Sequence, residues 1–307
     1  MIYLALGDSI THGYDASDEE HRFVTVLTRK LNKVERTSLY MQAKPGWTSA
    51  QLLRSLDKVP ECVIAEAAIV TLMIGGNDLL KALPWFLDDE EAGNKKLRAS
   101  FLPTVHAIVE HTKRNPDAVF MICTVYNPFP KSELAQRAIS GLNGILREAA
   151  TAYSCLLVPV DEWYGGEEGT LVNRFKRGKL QDLRLVRNPI HPNDKGHARI
   201  ADAVFNTYME IHKQRQAKRG ANRQAKRGAK RQAEPQRFRA KRRPHTASQR
   251  AERRGGGRSA AARPRSGALS MTQSRTGSVT QSRTGSMTQS RTGRKRIRDK
   301  AARQVYN

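Results

Sequence analysis

The chain has 307 residues and a formal charge of +25, long enough for one sizeable core and an extension. The charge is not evenly spread: residues 213–307 hold 29 Lys+Arg against 3 Asp+Glu, and the first 212 residues are close to neutral. Cys62, Cys123 and Cys155 are odd in number, far apart and set among apolar residues. That pattern predicts buried free thiols and excludes a disulfide framework or a cysteine metal site. No apolar run approaches the length of a membrane span, and a strand begins at Ile2 with no charged-then-apolar leader before it. The expected location is cytoplasmic, with leaderless export or surface association left open.

The first apolar run, Ile2 to Leu6, stops at Gly7 and reads as a buried strand. Gly7-Asp8-Ser9-Ile10-Thr11-His12-Gly13 follows it, so Ser9 lies just past a strand's carboxyl end. Glu19 to Leu31 has helical spacing through Phe23, Leu27 and Leu31. Thr37 to Met41 predicts a short second strand, running into Lys44-Pro45-Gly46-Trp47 and a helix capped by Thr48 or Ser49. Ala67 to Ile74 is the clearest buried strand and ends in Gly75-Gly76-Asn77-Asp78. An amphipathic helix over 90–113 leads to a fourth strand, Val119 to Val125, followed by Tyr126-Asn127-Pro128-Phe129. A helix over 133–153 and a fifth strand over 155–160 come next. A loop-rich segment then reaches His191-Pro192-Asn193-Asp194-Lys195-Gly196-His197, before a last helix to about His212.

Strands alternating with helices predict a parallel sheet covered on both faces, with right-handed crossovers. With strand order 2-1-3-4-5, the first and third strands flank the switch point where such sheets bind ligands. Ser9, Gly46 and Asn77 then meet at one edge although they lie far apart in sequence.

Residues 213–307 are different material. They repeat QAKRGA-like units and then an eight-residue unit, MTQSRTGS and its near-copies, over 271–293. Large apolar residues are nearly absent, so no core offsets chain entropy, and the segment is expected to be disordered. Its Ala, Gln, Lys and Arg up to Gln232 also suit an extension of the last helix. A charge this dense contacts polyanions such as nucleic acid or an anionic surface at low salt. Only Phe238 and Tyr306 are aromatic there, so base stacking is minor. A tolerated, repeat-expanded extension with no dedicated partner explains it equally well.

Acyl transfer by a serine needs a nucleophile, a base, a group that orients the base and donors for the oxyanion. Ser9 is the candidate nucleophile, set against the plain reading of Asp8-Ser9 as a helix cap. His191 is the candidate base, set against a surface loop histidine. Asn77 is the candidate side-chain donor to the oxyanion, set against a turn residue after Gly75-Gly76, and Gly46 and Ser9 supply backbone N–H groups. Trp47, Tyr126 and Phe129 follow strand ends and read either as pocket walls or as caps of the core. Asp8 reads as an acceptor that holds its loop, His197 as structural and Asp194 as the cap of the last helix. No ligand cluster or phosphate-cradling loop implies a metal or a cofactor.

GDSITHG at 7–13, Gly46, GGND at 75–78 and HPNDKGH at 191–197 resemble the four ordered blocks of the SGNH (GDSL) hydrolase family. The resemblance covers residues 1 to about 212. It implies a flavodoxin-like, three-layer α/β/α sandwich. It also implies a serine esterase or lipase working through an acyl-enzyme on Ser9, with His191 as base and Ser9, Gly46 and Asn77 as oxyanion hole. Lysophospholipid, short acyl ester, acetylated sugar and thioester substrates all fit such a family, and a monomer is expected. The family's usual Asp three residues before the histidine is Asn188 here. An Asn carbonyl accepts from the imidazole but cannot stabilise the imidazolium by charge. A backbone carbonyl, a water or Asp182 is then left to orient the ring. The alternative is a polyanion-binding protein whose hydrolase domain is vestigial.

Overall fold

The computed structural model describes residues 1–185 and 188–240. The eight-residue repeats over 271–293, and the expectation of disorder from 241 onward, lie outside the described residues. Strand β1 (Ile2–Gly7) is followed by a short helix α1 (Ser9–His12), α2 (Phe23–Asn32), β2 (Ser38–Ala43) and α3 (Ser49–Ser55). Then come α4 (Glu61–Glu66), β3 (Ala67–Met73), α5 (Gly76–Asp88), α6 (Glu90–Thr112), β4 (Val119–Cys123) and α7 (Glu133–Ala152). The chain continues through β5 (Leu156–Val158), the short helices α8 (Val160–Tyr164), α9 (Glu168–Leu171) and α10 (Asp182–Leu185), and a final helix α11 (Asp194–Ala240).

The five strands are parallel and lie in the order β2-β1-β3-β4-β5, as the alternation of apolar runs and helical spacing predicts. Strand periodicity divides the core in two. Leu4, Leu6, Val70, Leu72, Phe120 and Ile122 face a cluster completed by α3 to α7. Tyr3, Ala5, Ile69, Met73, Met121 and Cys123 face the other, built with α2, α8 and the first turns of α11. Two-residue alternation in the central strands therefore feeds both helix layers, which is why these strands read as continuous apolar runs.

The last helix runs past His212 to Ala240, through the stretch whose composition suits an extension of it, and one expectation about the cysteines is corrected. The added stretch is made mostly of strong helix formers, which continue the backbone hydrogen bonding without needing a core. Residues 213–226 are exposed on it. Of the cysteines, Cys123 is buried and all three are free, but Cys62 is exposed, because α4 turns it away from the apolar face that carries Ile64.

The strand register positions the site. Gly7 of β1 is level with Ala43 of β2 and with Met73 of β3. Chain emerging from the three strands therefore leaves at one edge of the sheet. Tight packing holds this edge: a Cβ on Gly7 would lie 2.1 Å from Thr11 Oγ1 and 2.4 Å from the Met73 carbonyl oxygen. Gly7→Ala must push β1 off β3 or displace α1, and is expected to cost about 1–3 kcal/mol. Thermal unfolding checks this; an unchanged Tm would mean that the junction has room the packing denies it.

Candidate active site

Ser9 opens α1, and Asp8 caps that helix by accepting the Ile10 N–H on Oδ1 at 3.0 Å. The turn closes at Gly13, whose φ of 87° is left-handed and suits a residue without Cβ. His191 arrives from the segment before α11, and its Nε2 lies 2.9 Å from Ser9 Oγ. Both side chains are buried. The segment carrying His191 is held by backbone and side-chain bonds: Asn173 N–H donates to the His191 carbonyl at 2.8 Å, and Tyr126 Oη donates to the Ile190 carbonyl at 2.6 Å. Burial pushes the His191 imidazole down to about 4, with the Asp15 charge opposing that and Arg174 reinforcing it. The ring is neutral at pH 7, the state in which Nε2 accepts the Ser9 hydroxyl proton.

Asn77 stands in the first turn of α5. Its Nδ2 donates to the Trp47 carbonyl at 2.9 Å and lies 3.5 Å from Asp8 Oδ2. A second tie joins the same two loops: Asp78 accepts from Ser49 N–H at 2.9 Å and from Ser49 Oγ at 2.7 Å. Thr48 caps α3 in a reciprocal box with Gln51. The Gly46–Trp47 turn is thus fastened to the start of α5, and Gly46 itself takes a left-handed φ of 81°. That turn needs a residue without Cβ.

An apolar cavity opens beside Ser9, His191 and Asn77, walled by Leu79, Leu80 and Leu83 of α5, Phe129, Leu134 and Ile139. Phe129 and Tyr126, which follow β4, line it. Tyr126 is also stacked on Tyr164 with ring centroids 4.2 Å apart, so it serves the core and the cavity together. Trp47 does not belong to the wall. Its side chain packs on the core cluster and its backbone carbonyl holds Asn77. The aromatic type suggested a pocket, and the structure uses the main chain instead.

The expected orienting group is not where the sequence places it. Asn188 makes no hydrogen bond to His191, whose buried Nδ1 has no hydrogen-bond partner among the described residues. Asn188 instead adopts a left-handed φ of 50° immediately before Pro189, a conformation Asn tolerates better than most residues. Asp182 is engaged elsewhere, accepting from the Arg177 and Lys179 N–H groups and from Arg177 Nε. Among the described residues the acid paired with the ring is Asp15, with Oδ2 3.8 Å from His191 Nδ1. Sequence reasoning missed it, although it lies only six residues after Ser9 in the same loop. His197 is structural as expected: it is fully buried, stacked on Phe23, with Nε2 3.4 Å from the Tyr14 carbonyl. Asn193, not Asp194, caps α11, accepting the Gly196 N–H at 3.0 Å, while Asp194 accepts from Ser17 N–H at 2.8 Å.

A buried serine hydrogen-bonded to a neutral histidine, at the carboxyl edge of a parallel sheet with this strand order, has the outline of a hydrolase of the α/β/α type. The chain belongs to the GDSL-like lipase/acylhydrolase family, whose profile matches residues 5–199. It is 26% identical over 215 residues to the spore germination lipase LipC of Bacillus licheniformis, covering 66% of this chain and 94% of that protein. Among solved structures it is similar to the lipase Lip_vut3 from a goat rumen metagenome (TM-score 0.57, 23% identity, 67% of this chain and 97% of that one). It is also similar to TesA (TM-score 0.51, 20% identity, 67% and 97%). At these identities the solved structures establish the fold. The family match establishes membership and, in general terms, hydrolysis of esters.

Asp8 offers a test of the site's electrostatics. Burial pushes its carboxyl up to about 7 from an ordinary value of 3.8, with the Ile10 N–H opposing and the Asp78 charge adding to the rise. An acid raised in the folded state costs stability as pH rises from the unfolded value through the folded one. Asp8→Asn keeps an acceptor for Ile10 and removes the charge. It should therefore raise Tm more at pH 8 than at pH 5. Equal shifts at the two pH values would mean that Asp8 is not held neutral by burial.

Proposed function

We propose that this protein is a serine hydrolase that cleaves carboxylic esters with an apolar acyl group through an acyl-enzyme on Ser9. The observation that carries the reading is the 2.9 Å hydrogen bond from Ser9 to a neutral, buried His191 at the mouth of an apolar cavity. Ser9 Oγ attacks the carbonyl carbon as its proton passes to His191 Nε2. Charge develops on the carbonyl oxygen, which the Ser9 N–H, the Gly46 N–H and the Asn77 amide stabilise. Collapse breaks the ester C–O bond, and the leaving alkoxide takes the proton from Nε2. Water, deprotonated by the same nitrogen, then adds to the acyl-enzyme and releases the acid and Ser9.

The cavity supports the choice of acyl group. Its wall from α5 and α7 presents Leu79, Leu80, Leu83, Leu134 and Ile139, which offer an acyl chain burial and no hydrogen-bonding partners. Each buried methylene is worth about 0.8 kcal/mol. A relative that is a lipase is consistent with such a substrate.

Hydrolysis of p-nitrophenyl acetate, butyrate and octanoate by the full chain tests both parts. kcat/KM is expected to rise several-fold per added methylene until the cavity is filled. Ser9→Ala should abolish turnover and fluorophosphonate labelling while leaving the circular dichroism spectrum unchanged. An active Ser9→Ala variant would remove the nucleophile assignment. A preference for acetate would remove the acyl-cavity assignment alone.

A further inference from the structure

His191 must carry its proton on Nδ1 if Nε2 is to accept from Ser9, since a neutral imidazole has one donor and one acceptor nitrogen. A buried Nδ1–H needs an acceptor, and the family's usual position offers only Asn188, which makes no bond to it. We propose that Asp15, from the loop after Ser9, is the residue that orients His191 and stabilises its protonated form in place of the missing acid at 188. The proposal deepens the ester-hydrolase reading and rests on it for its catalytic consequence.

Three observations place the carboxylate. Oδ2 of Asp15 lies 3.8 Å from His191 Nδ1, so a closure of about 1 Å makes a charge-assisted hydrogen bond. Arg174 Nη1 donates to the same oxygen at 2.8 Å, which fixes the position of a side chain only 10% exposed. The segment around Asp15 is tied on both sides. Tyr14 N–H donates to the Ser9 carbonyl at 2.9 Å, His197 Nε2 lies against the Tyr14 carbonyl, and Ser17 N–H donates to Asp194. The Tyr14 ring also rests on the His191 ring, centroids 4.5 Å apart.

The backbone adds an independent argument. Among the described residues four non-glycine residues have positive φ, and three of them are Asp15 (67°), Arg174 (55°) and Asn188 (50°). All three belong to segments that meet at His191, and such strain persists where surrounding structure enforces it. Asp15 and Arg174 are the charged groups that act on His191, with Ser9, Tyr14 and the buried His197 as its other polar neighbours. The carboxylate favours the imidazolium that forms during acylation, and Arg174 tempers that effect. Asp15 touches no reacting atom in this scheme and is a positioning residue.

The test uses the full chain and two readouts. The first is NMR titration of His191 in the parent, in Asp15→Asn and in the double variant Asp15→Asn/Asn188→Asp. Removing the charge removes an attraction that favours protonation, so the His191 midpoint should fall in Asp15→Asn and recover in part in the double variant. The second is the pH profile of ester hydrolysis. Asp15→Asn should lose about 10²–10⁴-fold in kcat with KM nearly unchanged, as the loss of a triad acid does, and its acidic limb should move to lower pH. A purely structural role would lower Tm and move neither the titration nor the limb. An unchanged His191 midpoint in Asp15→Asn overturns the proposal whether or not esters are hydrolysed. A lowered midpoint in a chain whose Ser9→Ala variant is equally active would support the Asp15 contact and overturn the ester reading instead.

Discussion

The site depends on one hydrogen bond between residues 182 positions apart, from Ser9 at the end of the first strand to His191 before the last helix. Its existence imposes a constraint on everything around it. An imidazole that accepts from a serine must be neutral, and neutrality follows from burial, which drives its protonation well below pH 7. A fully desolvated ring with nothing on its second nitrogen would be a poor base, because protonating it would create a bare buried cation. The fold must therefore exclude water from His191 and still supply a compensating charge. Asp15, restrained by Arg174, lies where that charge is required.

Sheet topology makes these demands compatible. β1 is central, paired on both sides, and level at its carboxyl end with β2 and β3. The loops after the three strands are then neighbours without any long excursion of the chain. They are cross-tied by side chain to backbone, Asn77 to the Trp47 carbonyl and Asp78 to the start of α3. Each loop is short and begins at a rigid strand, which keeps positional error small where donors must meet a developing charge. His191 alone comes from a long irregular segment. It is anchored through Asn173, Tyr126 and the Tyr14 ring.

Much of this was legible in the sequence, and the reasons are physical. Buried parallel strands leave continuous apolar runs that stop at Gly or Pro, so all five strands and their edge loops could be read. Boundaries shifted by a few residues, as at β5, where only Leu156–Val158 pairs with β4. Short helices such as α8 and α9 carry too few turns to show a period. Trp47 shows a different limit: residue type reports what a side chain prefers, whereas this position is used through its carbonyl oxygen. Asn188 shows a third. Its departure from the family pattern was visible, but its left-handed backbone, and hence its turn-forming use before Pro189, was not.

Asp15 is the most informative omission, because nothing in Gly13-Tyr14-Asp15 distinguishes it from an ordinary polar turn. A charge is assigned to a partner by distance, and that distance is set by the return of the chain some 175 residues later. The missing acid was nevertheless a usable signal. A buried imidazole base without a carboxylate at the usual place requires another acceptor. Acceptors on the nucleophile loop need no new element to reach the ring. Position 188, where the family usually has its acid, and Asp15 come from opposite ends of the domain's sequence. Moving the charge from one to the other leaves the Ser9–His191 pair in place. Under the proposed reading it transfers the positioning of His191 from the histidine's own segment to the loop after Ser9, which is closed by Gly13 and clamped by Arg174.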